Sequence, residues 1–160
     1  MIMDVNVMND QHRALYLDDV EVGQTFTSGT HVMDVDRIKE FAAEFDPQPF
    51  HLDETAAKES VFRGLAASGW HTAAVAMRLL TTSGLRFADG ILGVGAEISW
   101  PQPTRPGDVV HMASEIVEIR PSQSKPDRGI VTMQSRMLNQ NGETVYLLKA
   151  KLLVPRRPLA

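Results

Sequence analysis

Hydrophobic positions in this chain follow two periods, and the change from one to the other divides it. After Asp34, the apolar residues Ile38, Phe41, Ala42 and Phe45 fall at i, i+3, i+4 and i+7, one face of an amphipathic helix. Arg37, Lys39, Glu40 and Glu44 lie off that stripe, and Asp34 suits the N-cap. Pro47 and Pro49 then predict an end to the helix and an extended segment, with a short second helix within Leu52 to Ser60. Trp70 to Thr82 is rich in Ala, Val, Met and Leu and apolar over most of its circumference, which predicts a long buried helix at the centre of the domain.

Elsewhere the period is two. Thr25 to Val32 reads as a strand, broken or bulged at Gly29. Ile91 to Trp100, Val109 to Ile119, Ile130 to Leu138 and Thr144 to Val154 read as four more. In the third of these four, Val131, Met133 and Met137 share one face, and Thr132, Gln134 and Arg136 the other; in the last, Lys149 and Lys151 share a face. Arg120 to Gly129 is a polar loop, and Asn139 to Gly142 a hairpin signal. Residues 1–14 lack a period and read as an N-terminal arm, 15–155 as the domain, and 156–160 as a basic tail. The order implies an α+β fold in which an antiparallel β-sheet wraps around one long central helix.

Composition narrows the function classes. With 160 residues, 43% of them hydrophobic, the chain fits one globular domain that needs no staples. The absence of cysteine excludes disulfides, thiolate metal sites and cysteine nucleophiles. A net charge of -4 disfavours nucleic acid as a partner. No apolar run approaches a membrane span, and Met1 to Arg13 lacks the pattern of a signal peptide, so the expectation is a cytoplasmic protein that engages no membrane.

Two segments carry candidate chemistry. Asp46-Pro-Gln-Pro-Phe-His51-Leu-Asp53 places a carboxylate and an imidazole five residues apart on a proline-stiffened link. Such a pair can converge on one water as acid and base. Spacing alone equally admits a helix-terminating Asp46 and an ordinary half-buried His51. Ser68-Gly69-Trp70-His71 opens the long helix, whose free N–H groups could stabilise a thioester oxygen. Here too a plainer role stands open: Ser68 as N-cap and Gly69 for close packing. His71 reads as a core or interface histidine. His12, His31 and His111 are scattered, and no two histidines have i, i+4 spacing, so no metal site is expected. Arg120, Lys125 and Arg128, with Ser122 and Ser124 in the same loop, could meet the phosphates of a nucleotide-bearing ligand or form a solvated loop. Arg156 and Arg157 share that ambiguity.

Together the two segments resemble the MaoC-like dehydratases, relatives of the (R)-specific enoyl-CoA hydratases. The likeness extends from about Tyr16 to Val154. It rests on Asp46-Pro-Gln-Pro-Phe-His51-Leu-Asp53, on Ser68-Gly69-Trp70-His71, and on Trp100-Pro-Gln-Pro followed by Pro106-Gly107-Asp108. The resemblance implies a hot dog fold and a homodimer or assembly of dimers. It implies a substrate that is an acyl-CoA, with no further cofactor. Asp46 and His51 would activate water for addition to a trans-2-enoyl thioester, and the Gly69 N–H would bind the thioester oxygen. Gln48, Phe50, Ser68, Trp70, Arg120, Lys125 and Arg128 become candidate substrate contacts. Two departures stand out: Gln48 replaces the usual Asn, and Ser68 the usual His. They point to a differently shaped acyl pocket. A thioesterase and a non-catalytic acyl-CoA binder on the same fold are the competing readings.

Overall fold

The computed structural model describes residues 13–83 and 85–159, so most of the N-terminal arm lies outside the described residues. Five strands, β1 (Thr25–Val32), β2 (Leu92–Ser99), β3 (Val109–Pro121), β4 (Arg128–Leu138) and β5 (Thr144–Pro155), form one antiparallel sheet in the order β1-β3-β4-β5-β2. Between β1 and β2 the chain makes α1 (Val35–Phe45), α2 (Pro49–Leu52), α3 (Glu54–Glu59) and α4 (Gly69–Thr82).

Alternation along the strands builds the core. Met112, Ile116, Val131, Met133, Met137, Leu152 and Val154 are buried on the inner side of the sheet, and Val75, Ala76, Leu79 and Leu80 are buried on α4. Each large side chain so buried contributes about 1.5–3 kcal/mol relative to exposure. Lys149 and Lys151 face solvent, as their shared face predicts. The β1 register shifts between Thr27 and Thr30, around the bulge read at Gly29. Asp34 caps α1, accepting from the N–H groups of Asp36 and Arg37 at 3.0 Å each.

Four expectations need correction. Phe45 belongs to the predicted stripe but is exposed, because it ends α1 and rests on the half-buried Phe41 ring instead of the core. The segment after Pro47 is not extended throughout: Pro49 opens the short helix α2, since proline at a first helical position removes an N–H that had no partner anyway. The long helix is not covered all round, for Trp70 and Met77 on it are exposed. The polar loop is shorter than Arg120 to Gly129, because β3 runs through Pro121 and β4 begins at Arg128.

Candidate active site

The helix α1 stops at Asp46, whose backbone N–H still reaches the Ala42 carbonyl while its own torsions leave the helical range. Two residues later Gln48 is extended, and Pro49 starts α2. This break turns the chain sharply enough for His51, on α2, to face back toward Asp46. The His51 Nε2 lies 3.3 Å from Asp46 Oδ2. The imidazole is 4% exposed and sits among the rings of Phe50 and Phe62.

His51 Nδ1 is 2.6 Å from the Ala66 carbonyl oxygen. A carbonyl only accepts, so Nδ1 carries a proton, and Nε2 is the ring nitrogen that faces Asp46. The supporting loop is fixed in turn. Arg105 donates to the carbonyls of Gly64 at 2.8 Å and Leu65 at 3.2 Å, and also to Phe62. The Ala66 N–H bonds the Phe50 carbonyl, and the Ala67 N–H the Thr104 carbonyl. Arg63 takes a left-handed φ of 57°, a strained turn for a non-glycine residue, within the stretch that Arg105 holds.

The Asp46 carboxylate is hydrogen-bonded on both oxygens. Gln48 Nε2 donates to Oδ1 at 2.6 Å, and Ser68 Oγ donates to Oδ2 at 2.7 Å. Burial pushes the Asp46 carboxyl up, but the bonds from Ser68 and Gln48 and the neighbouring His51 outweigh it, and the net displacement is below the ordinary carboxylate value. Ser68 also accepts from the Trp70 N–H at 3.2 Å and so caps α4. Gly69 follows in the first turn, where the backbone N–H has no intrahelical acceptor.

Why glycine stands at position 69 is visible in Trp100. Its indole Nε1 donates to the Gly69 carbonyl at 3.0 Å, and a Cβ added at Gly69 would lie 2.8 Å from the ring. Trp70 meets Trp100 edge to face at 5.5 Å, leaving two partly exposed indoles beside the α4 N-terminus.

The structure therefore brings Asp46, Gln48, Phe50, His51, Ser68, Gly69 and Trp70 into one region. It does not bring Arg120, Lys125 and Arg128 there. Those residues lie at or beyond the distal end of β3, and a strand rises about 3.3 Å per residue, so Arg120 is about 35 Å along it from Val109. Arg128 is also engaged by Asp127, at 2.9 and 2.8 Å. Arg157 binds both carboxylate oxygens of Asp19, and Arg156 lies 3.8 Å from Asp18, so these two basic residues are tied to the body of the domain. A hollow on the outer face of the sheet, lined by residues such as Glu97, Glu115, Gln134 and Lys149, includes none of the residues around Asp46. Sequence reading missed Ala66, Arg105 and Thr104 as supports. The Ala66 contribution is a backbone atom and leaves no side-chain signal.

Comparisons with known proteins bear on the family and the fold. The MaoC like domain family matches residues 19–136. The crystal structure of a MaoC-like dehydratase from Rhodospirillum rubrum is 60% identical, covers 91% of this chain and 100% of its own, and superposes with a TM-score of 0.89. The R-hydratase PhaJ1 from Pseudomonas aeruginosa, in unliganded form, is 26% identical over 92% of each chain, with a TM-score of 0.73. A 3-hydroxybutyryl-CoA dehydratase from Methylorubrum extorquens is 28% identical over 71% of each chain. With its sheet packed on α4 and its family match over most of its length, the chain belongs to the MaoC-like dehydratase family and has the hot dog fold.

Proposed function

We propose that this protein is a hydro-lyase that reversibly hydrates a trans-2-enoyl-CoA to the 3-hydroxyacyl-CoA. The observation that carries the reading is the Asp46–His51 pair, with the buried imidazole bonded through Nδ1 to the Ala66 carbonyl and its Nε2 facing the carboxylate. Water held by this pair loses a proton to Nε2 as its oxygen bonds the β-carbon. The imidazolium formed is stabilised by Asp46 and returns that proton to the α-carbon, so one water adds across the double bond and nothing else is consumed. The Gly69 N–H, with the positive end of α4 behind it, receives the thioester oxygen as enolate charge develops. Phe50 and Trp70 supply apolar surface for the acyl group. The reading assigns no cofactor beyond the coenzyme A that the substrate carries.

The same reading takes the working unit as a homodimer. The β2 edge strand has no neighbour on its outer side and exposes Leu92 and Val94, an edge that a second copy covers by pairing. Sedimentation equilibrium checks this, with a monomer at micromolar concentration counting against it.

The decisive experiment follows a panel of short, branched and carboxylated trans-2-enoyl-CoA thioesters. Loss of the conjugated double bond and release of free thiol are read in parallel. The expected result is double-bond loss without thiol release. Thiol release would move the assignment to a thioesterase, and binding without either change to a non-catalytic acyl-CoA binder.

A further inference from the structure

Ser68 occupies a position where the family pattern usually has histidine, and its hydroxyl makes two bonds at once. It lies at the start of α4, is fully buried, and accepts from the Trp70 N–H at 3.2 Å. A hydroxyl has one proton to give, and with the helix N–H on its lone pair that proton is directed outward. It reaches Asp46 Oδ2 at 2.7 Å, the same oxygen that faces His51 Nε2.

We propose that Ser68 is a positioning residue for the dyad: its capped hydroxyl holds Asp46 Oδ2 toward His51 and keeps the carboxylate in its ionised form. Two further features single out this bond among the contacts around Asp46. Gln48, which holds Oδ1, is exposed, so its bond competes with water, whereas the Ser68 hydroxyl has no solvent to turn to. The serine is also placed by the same turn that presents the Gly69 N–H, so one cap fixes the carboxylate and the oxyanion donor relative to each other.

The charges around Asp46 leave few competing causes for a change in its titration. From α2 the group facing it is His51. From α4 it is the uncharged Ser68, while His71 on that helix is turned to the Phe41 ring and feels His31. On α1, Arg37 is engaged with Glu40 on the exposed side. Arg105 is directed to the carbonyls of 62–65.

The role as positioning residue rests on the hydratase reading; the bond to Asp46 does not, and the test separates them. Carbon-13 NMR titration of the Asp46 carboxyl is compared in the wild type, Ser68→Ala and Ser68→Thr. Loss of one hydrogen bond to a carboxylate is expected to move the Asp46 midpoint up by about one pH unit in Ser68→Ala. Ser68→Thr, which keeps the hydroxyl, returns it toward the wild-type value. In the activity assay, the acid limb of the kcat/KM profile shifts upward with it. Asp34→Ala removes the cap of α1 without touching Asp46, and is expected to lower thermal stability with the titration unmoved. Should the alanine variant not fold, Ser68→Cys takes its place, and its weaker donor predicts an upward shift in the same direction. An Asp46 midpoint unchanged in Ser68→Ala, or in Ser68→Cys where that stands in, overturns the proposal and leaves Ser68 as a cap alone. A wild type inactive on every enoyl thioester would instead remove the hydratase reading, with the titration still deciding the Ser68–Asp46 bond.

Discussion

Two buried histidines lie on separate helices of this protein, α2 and α4, and their surroundings differ in kind. His51 is 4% exposed and His71 is 9% exposed, so burial does not separate them. His51 has a carbonyl on Nδ1 and a carboxylate facing Nε2. His71 stacks on Phe41 at 4.9 Å, and its Nδ1 has no hydrogen-bond partner among the described residues. Burial pushes the His71 imidazole down from its ordinary value, with the charge of His31 adding to the effect. One ring is set up to move a proton; the other is held neutral. What distinguishes a reactive imidazole here is the pair of groups placed on its two nitrogens, both supplied by turns that flank short helices.

The largest expected effect breaks the partnered side of this comparison. Asp46→Asn and His51→Ala each remove one member of the pair, and general acid–base groups contribute about 100- to 10,000-fold. Each variant is expected to lose hydration by a factor in that range while its circular dichroism stays native. Wild-type-like turnover in either would sink the assignment of the pair.

Gly69→Ala is the next largest. The helix that starts here carries both the Ser68 cap and His71, so a displaced first turn disturbs both regions. The added Cβ would sit 2.8 Å from the Trp100 ring, a rigid neighbour that is also hydrogen-bonded to the Gly69 carbonyl. Overpacking of this sort costs about 1–3 kcal/mol. Urea denaturation is expected to show the loss, and Trp100→Ala in the same chain to recover part of it. A stable Gly69→Ala protein with full activity would remove the case for a glycine-specific first turn.

His71 predicts a smaller and pH-dependent effect. Its folded pKa lies below the ordinary imidazole value of 6.5, so the unfolded chain takes up the proton first. Stability attributable to the neutral ring is complete above about pH 6.5, and is lost as pH falls from there through the depressed folded value. His71→Phe keeps an aromatic ring on Phe41 and removes the titration. Its melting temperature is expected to fall less between pH 7 and pH 5 than that of the wild type. Parallel curves would mean that His71 finds a polar partner.

These contrasts also mark what the sequence could express. The Asp34 cap, the β1 bulge and the strand alternation are local patterns, and each was legible from residues within a few positions of one another. Asp46 and His51 stood out as a closely spaced pair, but spacing also admitted a helix terminus and an ordinary loop histidine, and only the family resemblance favoured a joint role. The contacts that make them a site come from farther away: Ala66 is 15 residues beyond His51, and Arg105 reaches back 41 residues to Gly64. Several of these contacts use backbone atoms, which every residue has and no residue type advertises. Gln48 and Ser68 were read as substrate contacts, yet each spends a polar hydrogen on Asp46. Phe45 misled because periodicity predicts a face, and cannot tell where the covering layer ends.

The smallest expected effect extends the comparison from imidazoles to charge. Arg128 has a partner of its own in Asp127, bonded through both Nε and Nη2. That bond holds the Asp127 carboxyl below its ordinary value, as Ser68 and Gln48 do for Asp46. The Arg128–Asp127 pair, however, stands in solvent at the distal end of the sheet, where water screens it and competes for both partners. Partnering without enclosure is therefore predicted to carry no chemistry. Arg128→Ala is expected to leave kcat and KM for a CoA thioester within about twofold. A KM raised tenfold, with kcat preserved, would show instead that this cation meets the phosphates of coenzyme A. The distance along β3 from Val109 would then require the loop to serve the site of a second protomer rather than its own.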